Sequence, residues 1–283
     1  MVLVGKKFWR SHEGLLVLPA LVFYALVYVA PLARIGRWSF FDPGFTLKFW
    51  REVLGEPTYY RALRNTLEIS VLVTAIALLL GYPLAYLMAT TVPRARRVLT
   101  VLLLVPFWTS ILVRTFAWLV ILGSNGLVNR TLLALGLADQ PQKLLFNMVG
   151  VQVGMVHVLL PFMVFPLYGV MSRIDPNVVR VARSLGAPPR RAFLHVFLPL
   201  SFPGLGAGCV LVFLLAIGFY VTPALLGGPG QITLATMIDM QVSTFLDFGA
   251  AATLGILLLI VVGGIFAVFG GLLGLNRLAG ASA

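Results

Sequence analysis

Glu68 and Arg114 stand inside long apolar runs, where an ionisable side chain costs about 2.5–3.5 kcal/mol on insertion scales and so needs a partner, water or a task. Two arrangements satisfy them. They can neutralise each other as a structural ion pair, or Glu68 can line a solute path, its carboxylate attracting an ammonium group while Trp108, Trp118 and Tyr220 offer aromatic faces to a cation. Phe219 adjoins Tyr220, and Asp239 and Asp247 lie in a segment, 227–250, that contains no Lys or Arg and so favours arriving cations. Packing and membrane anchoring are the alternative roles for the rings, and solvated loop carboxylates for the two Asp. His157 has no second His, Cys or carboxylate at ligand spacing, which leaves an interhelical hydrogen-bond donor and no metal site. Cys209 is alone, so neither a disulfide nor a thiolate metal site can form within the chain. A glycine loop ending in Lys and Ser or Thr is absent, so this chain is not expected to bind or hydrolyse ATP, and no cofactor is expected in it.

The elements that must hold these residues follow from composition. Apolar residues make up 60% of the 283 and charged residues 11%, against roughly 25% charged in a soluble domain. Several apolar runs exceed the ~20 residues that cross a bilayer core. Backbone groups in lipid must be satisfied within the segment, and the runs lack the alternation of barrel strands, so the fold class is all-α: a polytopic membrane protein. Six windows emerge at 15–33, 66–90, 98–122, 144–171, 203–226 and 251–275. The first follows Lys6, Lys7 and Arg10 and reads as an uncleaved helix. Pro83, Pro106, Pro161 and Pro166 fall inside windows and should bend their helices. Gly150 and Gly154, Gly204 and Gly208, and Gly270 and Gly274 are spaced for close approach of helix backbones. No soluble domain interrupts the pattern, so residues 1–283 read as a single transmembrane domain with its core at 65–275.

Charge sets the orientation. The net charge is +12, but the basic residues lie between apolar runs instead of forming one basic domain, which argues against nucleic acid. The loop Thr91-Val-Pro-Arg-Ala-Arg-Arg97 carries three Arg, and 172–202 carries Arg173, Arg180, Arg183, Arg190 and Arg191. The alternate loops at 123–143 and 227–250 contribute only Arg130 and Lys143. The Arg-rich pair is therefore expected in the cytoplasm, with both termini. Residues 34–64 then lie outside although they are basic. They also hold Trp38, Phe40, Phe41, Trp50, Tyr59 and Tyr60, rings that settle at headgroup level, so this segment reads as an outer amphipathic stretch.

The loop 172–202 is patterned like a structure. Asp175-Pro176 offers a helix start, Asn177–Leu185 a short helix, and Gly186 a left-handed stop. Pro188 or Pro189 can open a second helix over Arg190–Leu198, with Phe193, Val196 and Phe197 opposite Arg190, Arg191 and His195, and Leu198-Pro199 is expected to end it at the membrane. Two short helices broken at a glycine make a compact body that can dock in a groove of another protein. An amphipathic elbow resting on lipid is the alternative.

Arg180-Val-Ala-Arg-Ser-Leu-Gly186, nine residues, then Val196-Phe-Leu-Pro199 resembles the EAA loop of ABC importer permeases. Ala182, Gly186, the spacing, Val196 and Leu198-Pro199 match the family pattern, while Arg180 stands where the family has glutamate and Val181 replaces an alanine. The resemblance implies a type I importer permease with a MetI-like fold, and a coupling loop at 172–202 in which Arg180, Ala182, Arg183, Ser184, Leu185, Gly186, Ala187, Arg190, Val196, Leu198 and Pro199 meet an ATPase subunit. From about Asn65 to Ala252 the chain is most similar to the spermidine/putrescine group. Asn65-Thr-Leu67, Val113-Arg-Thr-Phe-Ala-Trp118, Leu159-Leu-Pro-Phe-Met163 and Val221-Thr-Pro-Ala-Leu-Leu-Gly-Gly228 carry that likeness. That group has an acidic residue shortly after the aromatic pair that matches Phe219-Tyr220, where this chain has Pro223.

What the resemblance implies is a permease forming half of a pathway for a small organic solute, by ATP-driven alternating access, in a bacterial or archaeal cytoplasmic membrane. The expected partners are a second permease chain, two copies of a P-loop ATPase that bind the ATP and Mg, an extracytoplasmic solute-binding protein, and lipid. Polyamine is the expected solute, with an opine, phosphonate or amino-acid-like compound as alternatives. A secondary transporter that needs no ATPase is the rival class; its marks, paired broken helices or intramembrane charge relays, are not evident in the sequence.

Overall fold

A computed structural model describes residues 12–272; Lys6, Lys7, Arg10, Gly274 and both termini lie outside the described residues. In chain order the helices are α1 (His12–Tyr24), α2 (Ala30–Trp38), α3 (Lys48–Gly55), α4 (Pro57–Thr90), α5 (Pro93–Leu104), α6 (Ile111–Leu122) and α7 (Leu127–Ala134). They continue as α8 (Met148–Met171), α9 (Pro176–Ser184), α10 (Pro189–Ala192), α11 (Leu198–Ile217), α12 (Val221–Leu226), α13 (Leu234–Ser243) and α14 (Phe248–Leu272). Among the described residues the only β feature is an isolated bridge between Phe41 and Phe45. Six stretches are long and apolar enough to cross a membrane: Val17–Trp38, Pro57–Thr90, Ile111–Ala134, Met148–Met171, Pro189–Ile217 and Phe248–Ala267.

Six spans agree with the six apolar windows, but two windows are cut differently. The window 98–122 is broken: α5 passes into a 3-10 turn over Val105–Trp108, Thr109 is extended, and α6 starts at Ile111. Pro106 sits in that turn and supplies no N–H, so the α-helical ladder loses its continuation there. The window 203–226 is also broken, at Gly218 to Tyr220, between α11 and α12. By contrast α4 and α8 run unbroken through Pro83 and through Pro161 and Pro166.

Two compact units divide the chain. One runs through Glu56 and adds Ile238–Leu257; the other takes Pro57–Met237 and continues from Leu258. In the first, the Ser39 hydroxyl meets that of Thr253 at 2.9 Å, and Thr253 donates onward to the Gly249 carbonyl. Thr253 has one hydroxyl proton, so Ser39 is the donor of the pair. Phe49 is buried with its ring in the space a Cβ on Gly249 would need. The Asp247 carboxylate accepts from the Ala250 amide at 2.9 Å and opens α14 as its N-cap.

The second unit is built on α4, α8 and α11. The buried positions of α4 are Ala62, Thr66, Ile69, Ser70, Val73, Ala77, Gly81, Ala85 and Met88, a stripe recurring every three or four residues along one face. Its outer face carries Val71, Leu72, Leu79, Leu80 and Leu87. The buried stripe mixes small residues (Ala62, Ser70, Ala77, Gly81 and Ala85) with Ile69, Val73 and Met88, whereas the outer face is Val and Leu; the small residues let helix backbones approach closely and add dispersion contacts. Gly204 and Gly208 show how close: a Cβ on Gly204 would stand 2.9 Å from Val170 Cβ and 3.0 Å from the Pro166 carbonyl, and one on Gly208 2.8 Å from Met163 Sδ. Gly150 and Gly154 are likewise pressed, against Leu144 and Leu226 and against Thr222.

Both π-helical turns of the described chain share one cause. Ala25–Val29 is followed by Ala30-Pro31, and Phe193–Phe197 by Leu198-Pro199. The Ala30 amide reaches the Ala25 carbonyl and the Leu198 amide the Phe193 carbonyl, five residues back. Each proline lacks the N–H that would follow and its ring crowds the preceding turn, so widening that turn keeps the helix continuous past it. Leu198-Pro199 therefore does not end a helix, contrary to the sequence expectation. The second half of the 172–202 loop runs straight into the span that ends at Ile217.

Candidate functional site

Asp175 opens the elbow between α8 and α11: its carboxylate accepts from the Asn177 amide at 2.9 Å, with Pro176 in the first turn. Helix α9 closes on Gly186, whose φ of +89° is a left-handed conformation. Two bonds complete the stop, from the Gly186 amide to the Arg183 carbonyl at 3.0 Å and from Ala187 to Ala182 at 3.1 Å. This is the double-bonded Schellman arrangement, in which a glycine avoids the roughly 1–2 kcal/mol that a Cβ adds in the left-handed region. Pro189 then starts α10, and the chain turns back toward the bundle.

The elbow is tied to the bundle by aromatic rings. Phe193 stands edge-on to Tyr86 and Tyr82, with centroids 5.5 and 6.3 Å apart, and Phe197 edge-on to Tyr86 at 5.0 Å. Tyr82 also bonds Ser201 at 2.9 Å, and Ser201 donates to the Leu198 carbonyl, which makes the tyrosine the donor. A groove of about 470 Å³ remains between elbow and bundle, lined by Tyr86, Met171, Ile174, Val179, Arg183 and Phe193 among others. Helix α9 packs on α10 and on the Phe193–Phe197 turn, so a movement of the elbow would reach the end of α4 through Phe193 and Phe197. Arg96 braces the same end: its guanidinium donates to the Met88 and Thr91 carbonyls, at 3.0 and 3.3 Å, and caps the last turn of α4.

Of the expected elbow residues, Arg180, Arg183, Ser184, Leu185, Gly186 and Arg190 are exposed, Ala182, Ala187, Val196 and Leu198 half-buried, and Pro199 exposed in the first turn of α11. The face of α9 that points away from the bundle carries Val178, Val181 and Leu185, which remain 45%, 57% and 84% exposed.

The expected solute-path residues are dispersed. Glu68 is exposed on α4 and lies 3.9 Å from Arg64 one turn earlier, so the ion pair with Arg114 is not formed. The i,i+4 spacing on one helix supplies a partner at no loop-closing cost. Arg114 is half-buried on α6, its Nε buried without a hydrogen-bond partner, and it makes no ion pair among the described residues. Trp118, one turn on, donates to His157 Nδ1 on α8 at 3.2 Å, ring edge to ring face at 5.6 Å. The interhelical bond expected of His157 exists, with the imidazole nitrogen as acceptor instead of donor. Trp108 is 80% exposed, Phe219 half-buried and Tyr220 exposed, and no ring contact or hydrogen bond joins these three among the described residues. Asp239 is exposed on α13. Pro223 is buried within α12.

Two polar clamps and one buried carboxamide escaped the sequence reading. Asn65 donates to the Gly230 and Ile232 carbonyls at 2.8 and 3.0 Å, and Thr66 accepts from the Leu234 amide at 2.8 Å, pinning 230–234 to α4. Asn129 is fully buried, donating to Gly123 and Gln142 carbonyls and accepting from the Gln142 amide. Gln152 is buried on α8 with its Oε1 unpartnered. The signal was a carboxamide inside or beside an apolar run, which needs a partner wherever it is buried.

Residues 81–273 match the family described as binding-protein-dependent transport system inner membrane component. The chain is 36% identical over 225 residues to a spermidine/putrescine transport system permease protein PotB of Salmonella typhimurium (strain SL1344), covering 80% of this chain and 78% of that one. It is 33% identical over 270 residues to the PotB of Haemophilus influenzae, covering 93% of each. Its fold is similar to a chain of a bacterial ABC transporter that imports the acidic polysaccharide alginate, with TM-score 0.74, 18% identity, and 94% and 96% of the two chains covered.

Proposed function

The chain belongs to the family of binding-protein-dependent transport system inner membrane components, as a multi-pass permease of an ABC importer, and from that premise we propose that its elbow, Arg180–Pro199, is the cytoplasmic point where ATP-driven work enters the membrane. The observation that carries this reading is the elbow itself: α9 is a capped helix stopped at Gly186 with one face exposed, and the π turn that follows α10 packs Phe193 and Phe197 onto Tyr86 of α4. Closure of two ATPase subunits pushes the elbow, and the packed ends of α4 and α8 swing between inward-open and outward-open states. ATP and Mg belong to those subunits. One chain supplies half a pathway, and a second, related permease completes it about a pseudo-twofold axis. A solute-binding protein delivers solute on the side of Asp239, and both termini lie with the elbow in the cytoplasm.

The proposed solute is a polyamine of the spermidine/putrescine class, supported by the PotB relatives. The path offers Trp118 and Tyr220 as aromatic faces and Glu68 as the acidic group. Because Pro223 occupies the position where the relatives' group has an acid, a phosphonate, opine or amino-acid-like solute is the second reading. Reconstituting the permease with its cognate ATPase and binding protein tests both. Spermidine or putrescine is expected to stimulate ATP hydrolysis and enter vesicles, whereas stimulation by anionic solutes alone would replace polyamine with the second reading. Undiminished uptake after deletion of 176–192 would end the coupling proposal.

A further inference from the structure

The charged surface of the elbow is strongly cationic, five arginines against one acid. Arg173, Arg180, Arg183, Arg190 and Arg191 are all exposed, and none forms an ion pair among the described residues. The one acid between 172 and 202 is Asp175, whose carboxylate oxygen is engaged by the Asn177 amide. The arginines flank the apolar stripe of Val178, Val181 and Leu185, spaced by three and four residues so that all three share one helical face. Leu185 stands at the very tip, directly before the left-handed Gly186. An apolar anchor ringed by unpaired guanidinium groups calls for a cleft of matching character, because guanidinium binds carboxylate in a bidentate fork and a basic rim opposite would repel it.

We infer that the ATPase subunit serving this permease has a docking cleft with an apolar floor that takes Leu185 and Val181 and an acidic rim that includes a carboxylate facing Arg180. This rests on the reading of the elbow as the ATPase contact and adds the chemistry of the partner. It has a consequence for pairing: an ATPase whose cleft presents a basic group at that point is rejected by this permease, so the elbow's charge selects its own subunit. Rim charges act chiefly on association rate and salt dependence, while the buried aliphatic anchor sets residence time.

The test is binding of the cognate ATPase to the full-length permease in neutral-lipid nanodiscs. Affinity is expected to fall roughly tenfold as salt rises from about 0.05 to about 0.5 M, as screening shortens the reach of surface charge. Arg180→Glu should weaken low-salt binding by a similar factor and flatten the salt dependence, and reversing one carboxylate at the cleft rim should restore it. Leu185→Ala should weaken binding equally at both salt concentrations. Tight, salt-independent binding that Arg180→Glu leaves unchanged or strengthens would overturn the acidic rim while leaving the docking reading intact. Absence of binding at any salt, with the elbow instead retained on anionic vesicles, would overturn both.

Discussion

The Trp118 indole donates to Nδ1 of His157, joining α6 to α8 across 3.2 Å. An indole nitrogen can only donate, so His157 must present an unprotonated Nδ1 there and carry its proton, when neutral, on Nε2. Interhelical hydrogen bonds in membrane proteins couple by about 0.6 kcal/mol on average, because the unfolded chain also finds partners. A double-mutant cycle of Trp118→Phe and His157→Leu, read by unfolding in SDS titration, should return a coupling near that size. Strict additivity would show that the bond contributes nothing to holding α6 on α8.

Helix contacts at glycine should rank by what the new methyl meets. Gly204→Ala drives a Cβ against Val170 Cβ and the Pro166 carbonyl, neither of which can swing aside. Gly81→Ala meets mainly Met163 Cγ, part of a flexible side chain, and Gly208→Ala meets Met163 Sδ together with its carbonyl. Overpacking costs roughly 1–3 kcal/mol, so Gly204→Ala should fall at the upper end and Gly81→Ala at the lower, with Gly208→Ala between. Gly263→Ala has nothing within 4 Å and serves as the neutral comparison. Thermal stability of the four purified variants checks the order, and a Gly204→Ala protein as stable as Gly263→Ala would contradict the close approach of α11 to α8.

The start and stop of α9 were legible because they depend on neighbours in sequence: Asp175 caps two residues on, and Gly186 is the residue that tolerates a left-handed φ. The six spans were legible because lipid demands long apolar runs. Helix breaks were not. Pro106 breaks its helix and Pro83 does not, although each removes one donor, and the difference lies in what surrounds them. The charge pairing of Glu68 failed for a related reason, since apolar depth says that a carboxylate needs a partner but not that Arg64, one turn away, supplies it. The polar clamps of Asn65 and Asn129 join segments separated in sequence, and no local pattern encodes their distant partners.

Glu68 offers a clean separation of structure from transport. Its pairing with Arg64 is exposed and 3.9 Å long, a geometry worth at most about 0.5 kcal/mol. Glu68→Gln should therefore leave thermal stability unchanged within that margin. If the carboxylate lines the solute path, the same variant should lower polyamine uptake several-fold, chiefly through a raised KM, while ATP hydrolysis without solute stays at its original rate. Uptake equal to the unmodified protein would remove Glu68 from the path and leave Trp118 and Tyr220 as its proposed recognition groups.

Gly186 should matter out of proportion to its contacts. Nothing lies within 4 Å of a Cβ built on it, so a substitution there meets no neighbour and acts only through the backbone. At φ +89° an alanine is strained by roughly 1–2 kcal/mol, whereas asparagine tolerates the left-handed region better. Relieving the strain means opening the bonds from Gly186 to Arg183 and from Ala187 to Ala182, which would let the last turn of α9 fray and move Leu185 off its position. Gly186→Ala should therefore insert and purify normally yet lose several-fold in solute-stimulated ATP hydrolysis, with Gly186→Asn recovering much of the loss. Equal, undiminished stimulation in both variants would mean that the rigid stop of α9 is not what transmits the push.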